Sequence, residues 1–203
     1  MKLFYAPAAC SLSPHIALRE AGAKFTLEKV DLQTKKTEAD SDFLGVNPKG
    51  YVPALQLDGG EVLTEGTMIV QYIADLFPKS QLVPAAGTPG HYKLLEWLGF
   101  ISCELQRNLS PMFNPALTPE LKESLMAVVA KRLDWLAAQL EGKTYLVGDR
   151  FTVADGYLFT ILNWSNFVGL GLSPWKTIQE YMARIGSRPS VVAALKAEGL
   201  TPA

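Results

Sequence analysis

The chain has 203 residues, 48% hydrophobic and 19% charged, with 19 Lys and Arg against 20 Asp and Glu and a net charge of −1. That is ample apolar material for one large domain or two small ones, and it excludes a disordered chain. The balanced charge, without a basic cluster, argues against nucleic acid as a partner, and no apolar run approaches the roughly 18 residues a membrane span needs. Two cysteines and no secretory leader predict a protein of the reducing cytoplasm, without a disulfide framework.

Residues 1–6 predict a first strand, and a helix follows from Ser11 or Ser13 to Ala21, closed by Gly22. Between them lies Ala9-Cys10-Ser11-Leu12-Ser13-Pro14-His15. A cysteine where a helix opens faces orphan N–H groups and the positive end of the helix dipole. Both favour a thiolate and lower the thiol pKa. Ser11 and Ser13 supply hydroxyl donors or caps, and Pro14 suits a first turn. The same residues also read as a small buried apolar Cys beside two serine caps, and the stretch alone does not choose.

Residues 25–32 alternate as a second strand, which makes a βαβ unit with a parallel pair. Residues 33–50 read as irregular, with one helical turn near 41–44. Asn47-Pro48-Lys49-Gly50-Tyr51-Val52-Pro53 then leads into a strand at 54–57. Pro53 must stand at a strand's start or edge. A cis bond there would present the loop's backbone outward to an extended peptide, but base rates favour an ordinary trans turn. Asp58-Gly59-Gly60 predicts a hairpin to 61–63. Thr64-Glu65-Gly66-Thr67 opens a second helix, carrying Met68, Ile69, Tyr72, Ile73 and Leu76. An acid at that point complements the helix dipole or holds an ammonium group. The order βαβββα, with Cys10 at the first helix and Pro53 before the third strand, matches a thioredoxin-like domain over residues 1–77. Its Cys-Ser-Leu-Ser lacks the second cysteine of a dithiol, so a thiol partner must come from outside.

Residues 78–87 form a Pro/Gly linker, and 88–203 carry helical patterning alone. One helix is expected from Tyr92 to about Asn108. A second runs from Glu120 to Leu140, capped by Thr118-Pro119. Thr152 and Asp155 form a capping box with Phe151 placed for a hydrophobic staple, so Asp155 reads as a buried structural cap. The helix behind it is apolar on nearly every side and should be buried. Two more helices follow near 174–185 and 189–195. His15 reads as a packing or dipole residue, and no His/Cys/Asp cluster has metal-ligand spacing.

These features together resemble a glutathione S-transferase: the thioredoxin-like half, Val52-Pro53, Glu65-Gly66, the linker, and Gly-Asp-Arg-Phe-Thr-Val-Ala-Asp in an all-helical half. Ala-Cys-Ser-Leu-Ser, Asn-Pro-Lys-Gly and Leu-Thr-Glu-Gly are similar to the bacterial beta class in particular. The resemblance spans essentially the whole chain. It implies a homodimer that conjugates glutathione to small hydrophobic electrophiles, with no metal and no membrane partner.

By that resemblance Val52 and Pro53 pair with the cysteinyl unit of glutathione. Glu65, Gly66 and Thr67 hold the γ-glutamyl end, and Lys35 approaches the glycine carboxylate. Cys10 faces the sulfur, and Ser11 hydrogen-bonds it. Residues 99–106, with Gly99, Cys103, Glu104 and Gln106, add to the site. Two positions depart from the class: Gln106 stands for the usual His and Gly99 for the usual Asn. Glutamine donates a hydrogen bond but cannot titrate near neutrality, so orientation of the sulfur survives and general-base activation does not. Cys103 reads as a small core or interface residue, with a second redox thiol as the alternative. Pro7, Ala8, Phe113 and the region of Trp164 are implied for the electrophile pocket. Cys10 further implies thiol–disulfide exchange or peroxidase activity. A glutaredoxin-like reductase and a non-catalytic glutathione-binding protein are the competing readings.

Overall fold

Four residues, Lys2–Tyr5, form strand β1, and one unit of the protein is built outward from them. In this computed structural model, which describes residues 1–200, β1 pairs in parallel with β2 (Thr26–Asp31) through the crossover helix α1 (Leu12–Glu20). On its other side β1 meets β4 (Ala54–Gln56) in antiparallel register, Leu3 opposite Leu55. Strand β5 (Val62–Thr64) returns beside β4 across Asp58-Gly59-Gly60. One strand was not expected: β3 (Lys36–Thr37) pairs antiparallel with β2 and completes the order β3-β2-β1-β4-β5. Two residues are too few for alternation to register in a sequence. The turn expected near 41–44 is a short 3-10 turn, Phe43–Gly45. It puts the Phe43 ring 5.6 Å from Phe4, in a cluster with Ala6, Val30, Val52 and Ala54.

Helix α1 is the chief departure from simple amphipathicity. Every residue from Leu12 to Leu18 is buried, His15 included. One side packs on α2 (Gly66–Leu76), and the other is covered by α9 (Pro189–Ala197), the last helix among the described residues. The sequence assigned α9 to the helical half, residues 88–203. By contact, Met1–Val83 and the described residues from Arg188 on form one unit, and Pro84–Ser187 the other. Arg188 and Ser190 fasten the start of α9 to Glu20 at the end of α1, Arg188 Nε donating at 2.7 Å. Gly22 closes α1 at φ +65°, the left-handed region that suits glycine.

The second unit is helical. Helix α3 (Pro89–Phe100), capped by Thr88, runs into a π-helical turn, Ile101–Gln106, and a last α-helical turn, α4 (Arg107–Leu109). The sequence predicted one regular helix here. Helix α5 (Pro119–Leu140) is capped by Thr118 as expected, and α6 (Val153–Asn163) is buried from Val153 to Leu162. Helices α7 (Ser165–Val168) and α8 (Lys176–Gly186) follow. On α5, Leu121, Val128 and Trp135, seven residues apart, are 51, 36 and 42% exposed, and the Trp135 ring also packs on Phe100 and Trp97 of α3. No helix among the described residues is long and apolar enough to cross a membrane.

Asp155 organises this unit. Its carboxylate accepts Leu146 N–H and Thr152 N–H at 2.8 Å, the Thr152 hydroxyl at 2.9 Å and the Tyr181 hydroxyl at 2.8 Å. The capping box is therefore present. Burial pushes the Asp155 carboxyl above its ordinary range, while the four donors pull it down. The expected staple is not formed, because the N4 position is Gly156 and offers no side chain. Phe151 packs instead against the ring of Tyr145.

Replacing Asp155 by Ala strands buried donors from three residues, each costing about 1–3 kcal/mol. Asp155→Ala should lower stability by about 3–5 kcal/mol, read as a fall in the urea midpoint. Asp149→Ala, at a side chain 89% exposed, should stay within about 0.5 kcal/mol of the parent.

Candidate functional site

The loop between β1 and α1 is closed by its own backbone and one hydroxyl. Ala9 N–H donates to Ala6 O at 3.1 Å, and Leu12 N–H to Ala9 O at 3.0 Å. Ser11 Oγ accepts Ala6 N–H and donates to Ala6 O, both at 3.2 Å. Ser11 is fully buried and makes no side-chain cap to α1. Its single proton is committed to Ala6, so Ser11 ties the loop shut where the sequence reading had it capping the helix or donating to a sulfur. Ser13 is buried too, and its hydroxyl has no hydrogen-bond partner.

Cys10 sits at the half-buried turn of this loop and donates its thiol to Val52 O at 3.3 Å. Residues 10 and 52 thus meet at one point. The Val52–Pro53 peptide is cis, against the base-rate expectation of trans. Asn47, nearly fully buried, holds the approach to it: its amide nitrogen donates to Tyr51 O at 2.7 Å, and its oxygen accepts Lys49 N–H at 3.2 Å. Lys35 Nζ donates to Gly50 O at 2.7 Å. Gly50 is required: its φ is +71°, and a Cβ would stand 3.2 Å from Leu44.

Pro53 also lies at the opening of α2, since a Cβ on Gly66 would be 3.6 Å from its ring. The N–H groups of Gly66 and Thr67 start that helix and have no intrahelical acceptor. Glu65 precedes them at φ +67°, ψ 107°, an uncommon conformation for a side-chain-bearing residue. Its carboxylate pairs with Lys49 Nζ at 2.5 Å. The first unit therefore brings together Cys10, Val52 and Pro53, sets Gly66 and Thr67 beside Pro53, and seats Lys35 on the adjoining loop.

A buried network supports this loop, and the sequence reading missed it. Glu198, just past α9, accepts His15 Nδ1–H at 2.9 Å and Ala8 N–H at 3.1 Å. Arg19 Nε donates to His15 Nε2 at 2.9 Å. A guanidinium can only donate, so Nε2 is the acceptor and the proton sits on Nδ1. Ala8 adopts φ +61°, the left-handed region alanine avoids, and its N–H is fixed by Glu198.

The second unit carries the remaining candidates. Gly99 is exposed on α3, and a Cβ there would meet nothing within 4 Å, so an Asn side chain would fit. Cys103, Glu104 and Gln106 all lie on the π-helical turn. Cys103 is exposed, which overturns its reading as a core residue. Glu104 accepts Arg132 Nε from α5 at 2.7 Å. Gln106 Oε1 accepts the hydroxyl of Tyr157, a buried residue of α6 that the sequence did not single out. With its carbonyl so engaged, the Gln106 amide nitrogen is left as the donor. Phe113 is half-exposed and meets Trp164 edge-on at 5.3 Å; Pro7 is exposed and Ala8 half-buried. Among the described residues no group of three or more His, Cys, Asp or Glu is placed to hold a metal ion.

Two family models match the chain: "Glutathione S-transferase, N-terminal domain" over residues 9–76 and "Glutathione S-transferase, C-terminal domain" over residues 100–189. The chain is 46% identical to glutathione S-transferase GstA of Escherichia coli O157:H7, over 98% of its own length and 100% of that protein. Two solved structures cover 99% of this chain and 100% of theirs, each at 48% identity. They are a sphingomonad glutathione S-transferase complexed with glutathione (TM-score 0.95) and a bacterial beta-class glutathione S-transferase of Sphingomonas chungbukensis (TM-score 0.96).

Glu198→Ala leaves two donors, Ala8 N–H and His15 Nδ1–H, without their acceptor and releases the loop around Cys10. Alkylation by iodoacetamide, followed by peptide mass spectrometry, should proceed several-fold faster at Cys10 than in the parent protein. Cys103, exposed and in the other unit, serves as the internal standard and should react at an unchanged rate.

Proposed function

Because the chain belongs to the glutathione S-transferases, in their bacterial beta class, we propose that it conjugates glutathione to small hydrophobic electrophiles and carries a Cys10-dependent thiol–disulfide exchange activity beside it. The observation that carries this reading is the hydrogen bond from Cys10 to Val52 O, beside Pro53. It sets a thiol against the backbone edge that would receive the cysteinyl unit of a tripeptide, so the bound sulfur comes to Cys10. Lys35 lies on the adjoining loop, suited to a glycine carboxylate, and Glu65, Gly66 and Thr67 suit the γ-glutamyl end. A sphingomonad relative was solved with glutathione bound, which supports the same ligand here.

In conjugation the glutathione thiolate attacks an electrophilic carbon, forming an S–C bond as the leaving group departs with its electron pair. The opening of α1 favours the thiolate electrostatically. Gln106, where the class carries a histidine, can offer an amide donor but cannot take a proton, so no general base is expected from that position. In exchange, the Cys10 thiolate attacks a disulfide and a mixed disulfide forms with release of one thiol. Glutathione then resolves it to regenerate Cys10. Leu121 and Val128, exposed apolar side chains on α5, support a homodimer as surface that a second copy could cover.

Cys10→Ala should abolish exchange with a glutathionylated substrate while retaining part of the conjugation of an aryl halide. Steady-state assays of both reactions decide the matter: equal and complete loss of the two would contradict this division of labour, and exchange without measurable conjugation by the parent protein would favour a reductase.

A further inference from the structure

Glu65, the acid proposed for the ammonium of the γ-glutamyl group, already has a cation beside it. Lys49 Nζ lies 2.5 Å from Glu65 Oε1 and donates to Thr64 Oγ1 at 2.9 Å. Both side chains are about half-exposed, where an ion pair contributes only about 0–1 kcal/mol and opens readily. Their backbones are fixed much more firmly. Lys49 N–H is held by the buried Asn47 side chain, and Glu65 is set at φ +67° ahead of an eleven-residue helix. The Glu65 carboxylate also raises the Lys49 ammonium above its usual pKa, so this group stays cationic across the working range. The result is one negative and one positive side chain next to two helix N–H groups that have no intrahelical acceptor, with no net charge. Such a surface complements a ligand carrying an ammonium and a carboxylate on a single carbon.

We propose that Lys49 is a specificity-determining residue that receives the α-carboxylate of the γ-glutamyl group while Glu65 receives its α-ammonium. The assignment rests on glutathione occupying the first unit as proposed above. On binding, one Lys49–Glu65 contact is exchanged for two ion pairs with the ligand, and the site selects an amino-acid zwitterion over either charge alone.

The test is calorimetric titration of the full chain and of Lys49→Met with glutathione and with γ-aminobutyryl-cysteinyl-glycine, which lacks only the α-carboxylate. The parent protein should bind glutathione at least tenfold more tightly than the analogue. Lys49→Met should weaken glutathione about tenfold and leave the analogue unchanged, so that the preference disappears. A variant that keeps the parent's preference, or that binds glutathione more tightly because a competitor for Glu65 has gone, would overturn the assignment. No heat from glutathione with the parent protein at millimolar concentration would remove the underlying reading instead, and this proposal with it.

Discussion

A single buried carboxylate, carried in from near the far end of the chain, holds the loop that bears the thiol. Glu198 has no exposed side-chain surface, and an unpaired carboxylate there would cost several kcal/mol. It is matched by His15 Nδ1–H and Ala8 N–H, and Arg19 completes the line on the other side of the imidazole. Satisfying this one charge brings three elements to a point: the β1–α1 loop, α1 itself and the end of α9. It also explains why α1 is buried on both faces. The final helix has to lie against it to deliver the acid, and Arg188 and Ser190 lock that helix to Glu20.

The second unit repeats the pattern with Asp155, whose four donors come from a loop, a cap and a distant helix. Around it α6 is wholly buried, and from α6 the Tyr157 hydroxyl reaches Gln106 on the π-helical turn. A π turn inserts one extra residue into a helix and reorients the side chains that follow, a device found often at functional sites. Here it carries Cys103, Glu104 and Gln106 together. Each unit thus fixes the segment that carries its candidate residues through one buried acid or one buried hydroxyl.

What the sequence disclosed is what local chemistry decides. The strand–turn–helix around Cys10, the hairpin at Asp58-Gly59-Gly60, the caps at Thr118 and Thr152 and the buried helix behind Asp155 all rest on residues within a few positions of each other. What it hid depends on distant partners. The Ser11 hydroxyl makes no helix cap, and its bonds to Ala6 are settled by loop closure, which its neighbours in sequence do not show. The allegiance of α9 follows from contacts some 170 residues apart that no periodicity reports. The cis bond at Pro53 runs against base rate, and only the assembled loop shows it. The π turn left no mark in the sequence, because the i, i+4, i+8 spacing of Ile101, Leu105 and Leu109 also suits an ordinary α-helix.

The pairing of Ala8 with Glu198 spans 190 residues, which has a bearing on how the chain is made. Synthesis delivers the thiol-bearing loop well before the acid that fixes it. At about 5–20 residues per second, roughly 10–40 seconds separate the two. Throughout that interval the strand and helix on either side of Cys10 can form, but the loop itself lacks its anchor. The Ser11 and Val52 contacts of that loop can form early, whereas its Glu198 contact waits on some 190 further residues, so the corner around Cys10 is completed in two stages.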